Sequence, residues 1–181
     1  MASGAVLYHF DVELSDVARS VYTTLDLRIA LHPSEDLERL VARCLAYCLL
    51  YEDDLVFGRG LSEADDPALV VKDGGEQILH WVDVGTPTAD RLHRASKRAA
   101  RVTVVSHKGS DGLRRERDKR KIHGAETIAV LLLDPALVQA VAAVLGRNGS
   151  WVLVRNDGEL HLALGAQTFA GSVEETVLAD L

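Results

Sequence analysis

Apolar and polar residues alternate along the first part of the chain, with the period of two that a half-buried β-strand requires. The alternation runs from Ala5 to Leu14 and again from Val21 to Leu31, with a turn beginning at Ser15 and Asp16. These two runs predict an antiparallel hairpin with a longish loop.

The pattern then becomes helical, because apolar residues recur at intervals of three, four and seven up to about Tyr51. Ser34 has a side chain suited to a helix N-cap. Glu35, Asp36 and Glu38 complement the positive end of the helix dipole. The segment therefore predicts an amphipathic helix that begins after Ser34.

Short apolar runs between turns follow this helix. Leu55 to Phe57 predicts a short strand, and Ala68 to Val71 and Ile78 to Val84 predict a hairpin around Gly74 and Gly75. The run from Ile78 to Val84 is apolar on both faces, which is typical of a central strand covered on both sides.

A strand, helix, strand succession comes next. Thr88 can cap a helix from Ala89 to Ala100, and Val102 to Val105 is a β-branched strand. This succession predicts a right-handed crossover between parallel strands. His80, on the preceding strand, is expected to be a core histidine with hydrogen-bond partners.

The last third of the chain predicts another strand at 128–133 and a helix from Pro135 to near Gly146. Trp151 to Val154 and Leu160 to Leu164 flank a strong hairpin turn signal. The final residues are predicted to form a frayed tail.

Length and composition fit one α/β domain over residues 1–181. The chain is 48% apolar and 26% charged, and a domain of this size needs no disulfide or structural metal. Cys44 and Cys48 share one face of the first helix and are expected to be core thiols rather than a metal or redox pair. Without a signal peptide or an apolar run of about 18 residues, we expect a cytoplasmic protein that does not enter a membrane.

Charge is spread unevenly along the chain. The net charge is −7, yet residues 91–121 hold twelve Lys or Arg and three Asp or Glu, so the rest of the chain carries −16. The predicted helix and its end contribute a stripe of cations: Arg91, Arg94, Lys97, Arg98 and Arg101. Such a stripe predicts contacts with the phosphates of DNA or RNA. A solvated face, or one that meets an acidic protein partner, is the alternative.

The order of helix, three antiparallel strands, helix and strand, at about residues 34–106, resembles the restriction-endonuclease-like, or PD-(D/E)XK, nuclease core. An added N-terminal β-hairpin and a C-terminal helix plus β-hairpin would make this a variant of that fold. Several segments, in order and spacing, are similar to the YaeQ family in particular. They are His32-Pro33-Ser34-Glu35, Glu38-Arg39, Phe57-Gly58-Arg59-Gly60-Leu61-Ser62, Pro67-Ala68-Leu69, Lys72-Asp73, Trp81-Val82-Asp83-Val84-Gly85 and Arg98-Ala99.

The resemblance implies carboxylates that converge on Mg²⁺ or Mn²⁺, which would activate a water molecule against a phosphodiester. Asp83 is the leading ligand, because it occupies the place of the acid in the (D/E)-x-K element. Gly85 stands where that element has its lysine. The candidates to replace this lysine are Lys72, Arg94, Lys97 and Arg98. Arg94 and Arg98 are preferred, because the helix that carries them can reach back across the end of the strand. Asp83 could instead cap Thr86 or pair with an arginine for structural reasons.

A second acid is expected on the preceding strand, where Asp66 and Asp73 both qualify and the nuclease pattern favours Asp66. Glu35 or Glu38 would add a further acidic group from the first helix. Each has an ordinary alternative in a solvated loop, a turn or a helix N-terminus. Two functions remain open: a metal-dependent nuclease, and an inactive nuclease-like module that binds nucleic acid or a transcription-related protein.

Overall fold

The structure, a computed structural model, describes residues 4–59 and 65–181. Part of the YaeQ-like segment, Gly60, Leu61 and Ser62, lies outside these residues, as does Glu63. The described strands form one mixed, nearly closed, barrel-like sheet in the order β2-β1-β8-β9-β10-β7-β6-β5-β4-β3. The strands are β1 (Val6–Asp16), β2 (Val21–Leu31), β3 (Val56–Phe57), β4 (Leu69–Lys72), β5 (Ile78–Val84), β6 (Ala99–Ser106), β7 (Ala129–Leu133), β8 (Asn148–Asn156), β9 (Glu159–Leu164) and β10 (Gln167–Val177). The helices are α1 (Leu37–Leu49), α2 (Ala89–Arg98), α3 (Asp111–Lys119) and α4 (Pro135–Val144).

The N-terminal hairpin is confirmed, because β1 and β2 pair antiparallel along their whole length, from Val6 opposite Leu31 to Asp16 opposite Val21. Their alternate apolar side chains point into the core, as the period of two requires.

The first helix begins later than predicted. Asp36, not Ser34, is the N-cap, and its carboxylate accepts from the Arg39 amide at 2.7 Å. Before the helix, Glu35 folds back toward His32 and accepts from its amide at 3.3 Å.

The two cysteines of α1 are buried core thiols, as expected. Burial raises the pKa of both, that of Cys48 to about 12.

The strands around the middle of the chain pair as predicted. β3 with β4 and β4 with β5 are antiparallel, whereas β5 with β6 is parallel with α2 as the connection. Thr88 caps α2 by accepting from the Arg91 amide. The helix ends at Arg98 and β6 starts at Ala99, so Arg101 lies on a strand and not on the helix.

The prediction for the C-terminus is wrong in one respect. The β8–β9 hairpin forms, but an eleven-residue strand, β10, and the 3-10 turn Leu178–Asp180 replace the frayed tail. β10 pairs with both β9 and β7 and so joins the two halves of the sheet. Its residues are mostly exposed or half-buried, which leaves no clear apolar alternation to detect.

Helices cover the sheet from two sides. The larger apolar core lies between the strands and helices α1 and α4, and the smaller one lies under α2 and α3. None of the helices in the described residues has the length and apolar character needed to span a bilayer.

Candidate functional site

A cavity of about 520 Å³ lies where β5 and β6 end. These strands are parallel, so their carboxyl ends meet at one edge of the sheet, the usual place for ligands in α/β folds. The start of α1, the turn into α2 and the loop from β6 to α3 complete the wall. Its charged lining residues are Asp36, Arg39, Asp66, Asp83, Arg91 and Lys108.

Asp83 is buried at the end of β5 and is held by an arginine. Arg91 donates from Nε to one carboxylate oxygen at 2.9 Å and from Nη2 to the other at 2.7 Å. The same Nη2 donates to the backbone oxygen of Asp66 at 2.6 Å. A bidentate pair of this kind satisfies a charge that would otherwise be costly to bury.

The cation beside Asp83 is thus Arg91 and not Arg94 or Arg98, which the sequence favoured. α2 starts above the end of β5 and runs back along the strand, so its first turn lies at Asp83. Arg98, at the other end of α2, stacks over Trp81 with its guanidinium carbon 5.6 Å from the ring centre. Arg94 lies 3.6 Å from the exposed Asp65 carboxylate.

Asp66 and Asp73 lie at opposite ends of β4. Asp66 lines the cavity with Asp83 and has a side chain that is 43% exposed. Asp73 accepts from the amides of Gly75 and Gln77 within the β4–β5 turn. Lys72, beside Asp73, pairs with Glu76 at 2.6 Å. The structure therefore brings Asp66, and not Asp73 or Lys72, to Asp83.

The two glutamates at the first helix do not line the cavity. Glu35 is buried, and its carboxylate accepts from Arg39 at 2.7 Å and from Arg43 at 2.9 Å. Glu38 lies half-buried on α1. The acid that α1 presents to the cavity is its N-cap, Asp36.

Among the described residues, those that line the cavity do not form a cluster of ligands for Mg²⁺ or Mn²⁺. Within residues 4–59 and 65–181, only His9, Asp11 and Asp26 bring three potential ligand atoms within 4.8 Å of one another, and they lie on the β1–β2 hairpin. Both oxygens of Asp83 already accept hydrogen bonds. The carboxylates at the cavity therefore do not fit a divalent ion in their present arrangement.

Gly85, which occupies the place of the nuclease lysine, has a backbone that suits glycine. Its φ is +102°, where L side chains are strained, and its amide donates to the Val105 oxygen at 2.9 Å. No heavy atom of the described residues lies within 4 Å of where a Cβ would be. Conformation, and not lack of space, disfavours lysine at this position.

His107 follows β6 directly and lines the cavity. It is 3% exposed, and neither ring nitrogen has a hydrogen-bond partner in the described part of the chain. Burial lowers its pKa, the neighbouring Lys108 and Arg39 lower it further, and Asp36 opposes them. An unsatisfied buried donor or acceptor costs about 1–3 kcal/mol.

Acidic neighbours offset much of the basic segment. Arg101 lies on the other face of the sheet, where it pairs with Glu52 and contacts His80. Further ion pairs join Arg120 to Asp90, Lys119 to Glu116, Arg114 to Asp111 and Arg117 to Asp118. The stripe on α2 therefore does not include Arg101, and the rest of the basic segment has less unneutralised charge than its count of Lys and Arg indicates.

Four ionisable residues that line the cavity were not among the predicted site residues: Asp36, Arg39, His107 and Lys108. A usable signal existed for two of them. His107 and Lys108 follow a strand predicted to lie parallel to the one that carries Asp83, so both strands end at the same edge. Asp36 and Arg39 gave no such signal, because the packing of α1 against the sheet brings them there.

A family model described as YaeQ protein matches residues 1–173. The YaeQ protein of Escherichia coli (strain K12) is 27% identical over 164 residues, which cover 90% of this chain and 91% of that protein. The YaeQ protein of Salmonella typhi is 32% identical over 107 residues, 59% of each chain.

Two crystal structures have the same fold. The YaeQ protein from Xanthomonas axonopodis pv. citri aligns with a TM-score of 0.85 and 28% identity over 96% of this chain and 98% of its own. The YaeQ protein from Pseudomonas syringae gives 0.84 and 29% over 94% and 95%.

Proposed function

The chain belongs to the YaeQ family, and from that premise and the geometry of the cavity we propose that it binds nucleic acid at this cavity through the phosphate groups. The convergence of Arg39, Arg91 and Lys108 at the carboxyl ends of β5 and β6 carries the proposal. They come from α1, α2 and the β6–α3 loop, so only the folded chain assembles them. Arginine and lysine are the side chains that most often contact phosphate oxygens.

The arrangement of α1, β3, β4, β5, α2 and β6 supports the proposal. The antiparallel pairing of β3 with β4 and of β4 with β5, and the parallel pairing of β5 with β6, are compatible with the nuclease-like core that the sequence resembles. In that core the acids and the phosphodiester meet at the end of the strand that here carries Asp83. The cavity lies at this place.

Binding is a better fit than cleavage to the state of Asp83 and Gly85. Asp83 has both oxygens engaged by Arg91, and Gly85 removes the lysine of the nuclease pattern. Arg91 thus neutralises the buried acid, and Arg39 and Lys108 are the further cations that line the cavity. The cationic groups can contact phosphates without a bound metal.

Fluorescence anisotropy with labelled DNA and RNA in EDTA tests the proposal. We expect binding at about 50 mM salt. The logarithm of the binding constant should fall linearly with the logarithm of the salt concentration, because phosphate contacts release counterions. Lys108→Ala should weaken binding and reduce the slope of this salt dependence by about one, the value expected for the loss of one phosphate contact. Lys72→Ala is the matched control. Lys72 is also exposed, but it lies at the end of β4 that is far from Asp66 and does not line the cavity.

No binding at low salt, or equal losses in the two lysine variants, would refute binding at the cavity. If only the charge reversal Arg94→Glu on α2 reduced the affinity for nucleic acid, the binding surface would be the basic stripe and not the cavity. Binding to an acidic protein but to neither nucleic acid would favour a protein partner.

Metal-dependent cleavage is a second candidate. Its support is that Asp36, Asp66 and Asp83 all line the cavity, and it would require Asp83 to be released from Arg91. Incubation of DNA and RNA with Mg²⁺ or Mn²⁺ tests it, and any cleavage should disappear in Asp66→Asn. Asp65→Asn is the control, because Asp65 is the exposed neighbour of Asp66 and does not line the cavity. Cleavage that is equal in both variants would exclude this site as its source.

A further inference from the structure

The ring of His107 is the one histidine ring in the described residues with both nitrogens buried and unbonded. His80 shows the usual alternative, because its two nitrogens bond to Glu52 and Thr103. Buried polar groups nearly always have partners, and an exception needs a reason. The position of His107 on the wall of an open cavity points to a ligand as the missing partner.

The neighbours of His107 specify the charge of that ligand. Lys108 is the next residue, Arg39 lies across the cavity wall, and both lower the pKa of the imidazole. Each cation also has an acid beside it, because Glu35 accepts from Arg39 at 2.7 Å and Asp36 lies 3.9 Å from the Lys108 ammonium. The N–H groups of Arg39 and Lys108 can only donate, which favours an anion over a metal ion beside the ring.

The number of donors specifies the ligand further. An imidazole N–H, an ammonium and a guanidinium are donors that need several acceptor oxygens on one small group. A phosphate has that geometry and forms short, charge-assisted hydrogen bonds with such donors. Arg39 uses Nη1 for Glu35, and its fork offers further N–H groups.

We propose that His107 contacts a phosphate group in this cavity, donating from one ring nitrogen to a phosphate oxygen while Lys108 and Arg39 balance the charge. The assignment deepens the proposed function, since it places a phosphate of the nucleic acid beside the β6–α3 loop. Neither nitrogen is accessible to water in the unliganded chain. Binding therefore requires a rotation of the ring or a displacement of an adjacent side chain.

The first test follows the histidine Cε1–H signals of the full chain by NMR during titration with inorganic phosphate, a nucleoside 5′-monophosphate and a short oligonucleotide. The chain has seven histidines, and His107→Leu identifies the signal of His107. We expect that signal to shift saturably with at least one of the three probes. The exposed His161 should not shift in the same way.

The second test separates a binding role from a structural one. His107→Leu should lose about tenfold or more in affinity for the oligonucleotide. In the absence of ligand it should melt at the same temperature as the native chain or higher, because an apolar side chain removes the two unbonded nitrogens. His107→Asn, which retains a donor, should keep part of the affinity. His161→Leu is the control and should change neither quantity.

The outcomes separate the two proposals. If the oligonucleotide binds, but the His107 signal does not move and His107→Leu binds equally well, the role of His107 is refuted while nucleic-acid binding stands. If no oligonucleotide binds but phosphate shifts the His107 signal, nucleic-acid binding fails while the phosphate site stands. If no probe shifts the signal, the phosphate site is refuted.

Discussion

Two buried histidines, one on β5 and one directly after β6, have opposite surroundings. His80, on β5, is 2% exposed, with Nδ1 2.6 Å from the Glu52 carboxylate and Nε2 2.8 Å from the Thr103 hydroxyl. His107, just beyond β6, is 3% exposed and has neither contact. Burial lowers the pKa of both. Equal burial with unequal bonding separates a group that stabilises the fold from one that is available to a ligand.

The cause of the difference is the position of each histidine along its strand. His80 lies within the ladder, opposite Arg101, and the strand beside it also supplies Thr103. His107 lies one residue beyond β6, where the chain turns toward α3, and neither of its ring nitrogens has a hydrogen-bond partner among the described residues. A histidine inside a strand can thus gain a polar partner from the adjacent strand, as His80 does from Thr103. A histidine beyond the end of a strand, such as His107, has no such partner within the described ranges.

The largest effect should come from breaking a satisfied pair at the cavity wall. Asp83→Ala leaves the Arg91 guanidinium partly buried without its carboxylate, so unfolding should become easier by about 3 kcal/mol. Urea denaturation at pH 7 measures the change. Asp65→Ala, which removes an exposed partner of Arg94, should cost less than about 0.5 kcal/mol. Equal losses would show that the bidentate pair is not important for stability.

The contrast between the two histidines can itself be measured. His80→Leu leaves the buried Thr103 hydroxyl without its hydrogen-bond partner and removes a partner of Glu52. It should therefore lower the free energy of unfolding by about 2 kcal/mol. His107→Leu should leave it unchanged or raise it by up to about 1 kcal/mol. The same sign and size for both substitutions would contradict the distinction drawn from their bonding.

A smaller effect is expected when the lysine of the nuclease pattern is restored. Gly85→Lys should cost about 1–2 kcal/mol, because φ is +102° at a position that otherwise has room. Gly74→Lys is the matched control, since Gly74 also has open space but no positive φ. Thermal unfolding of both variants measures the difference. A Gly85→Lys protein as stable as the control would remove the conformational explanation.

The smallest effect concerns pH. The folded pKa of both buried histidines lies below the ordinary value of 6.5. The unfolded chain therefore binds protons first, and stability should fall as the pH drops through about 6.5 and should not change above it for this reason. His107→Leu should show a shallower fall between pH 7 and about 5.5 in urea denaturation series. A fall identical to that of the native chain would show that His107 is not buried in its neutral form.

Local pattern was sufficient for most elements and insufficient for their ends. Thr88 and Asp134 cap helices where their side chains predict. α1 starts at Leu37 because Glu35 is drawn to the buried Arg43, a contact across 8 residues that no local rule includes. β10 was missed because it is held by two neighbouring strands and not by an apolar face of its own.

The candidate site was predictable only in part. Asp83 and Asp66 do reach one cavity, since both flank strands whose pairing was evident from the hairpin and the crossover. The partner of Asp83 was not evident, because the choice between Arg91, Arg94 and Arg98 depends on where α2 crosses β5. A difference of one helical turn moves the cation by about 5 Å along the strand.

Apart from α3 and β10, the order and type of the elements were predicted from the sequence, as were the parallel pairing of β5 with β6, the burial of the cysteines and the concentration of positive charge. These depend on local periodicity and composition. Which charges meet, which histidine keeps its nitrogens unbonded and which acid faces Asp83 were decided by packing. Such contacts join residues far apart in sequence, and shifts of a few ångströms determine whether a buried group has a partner.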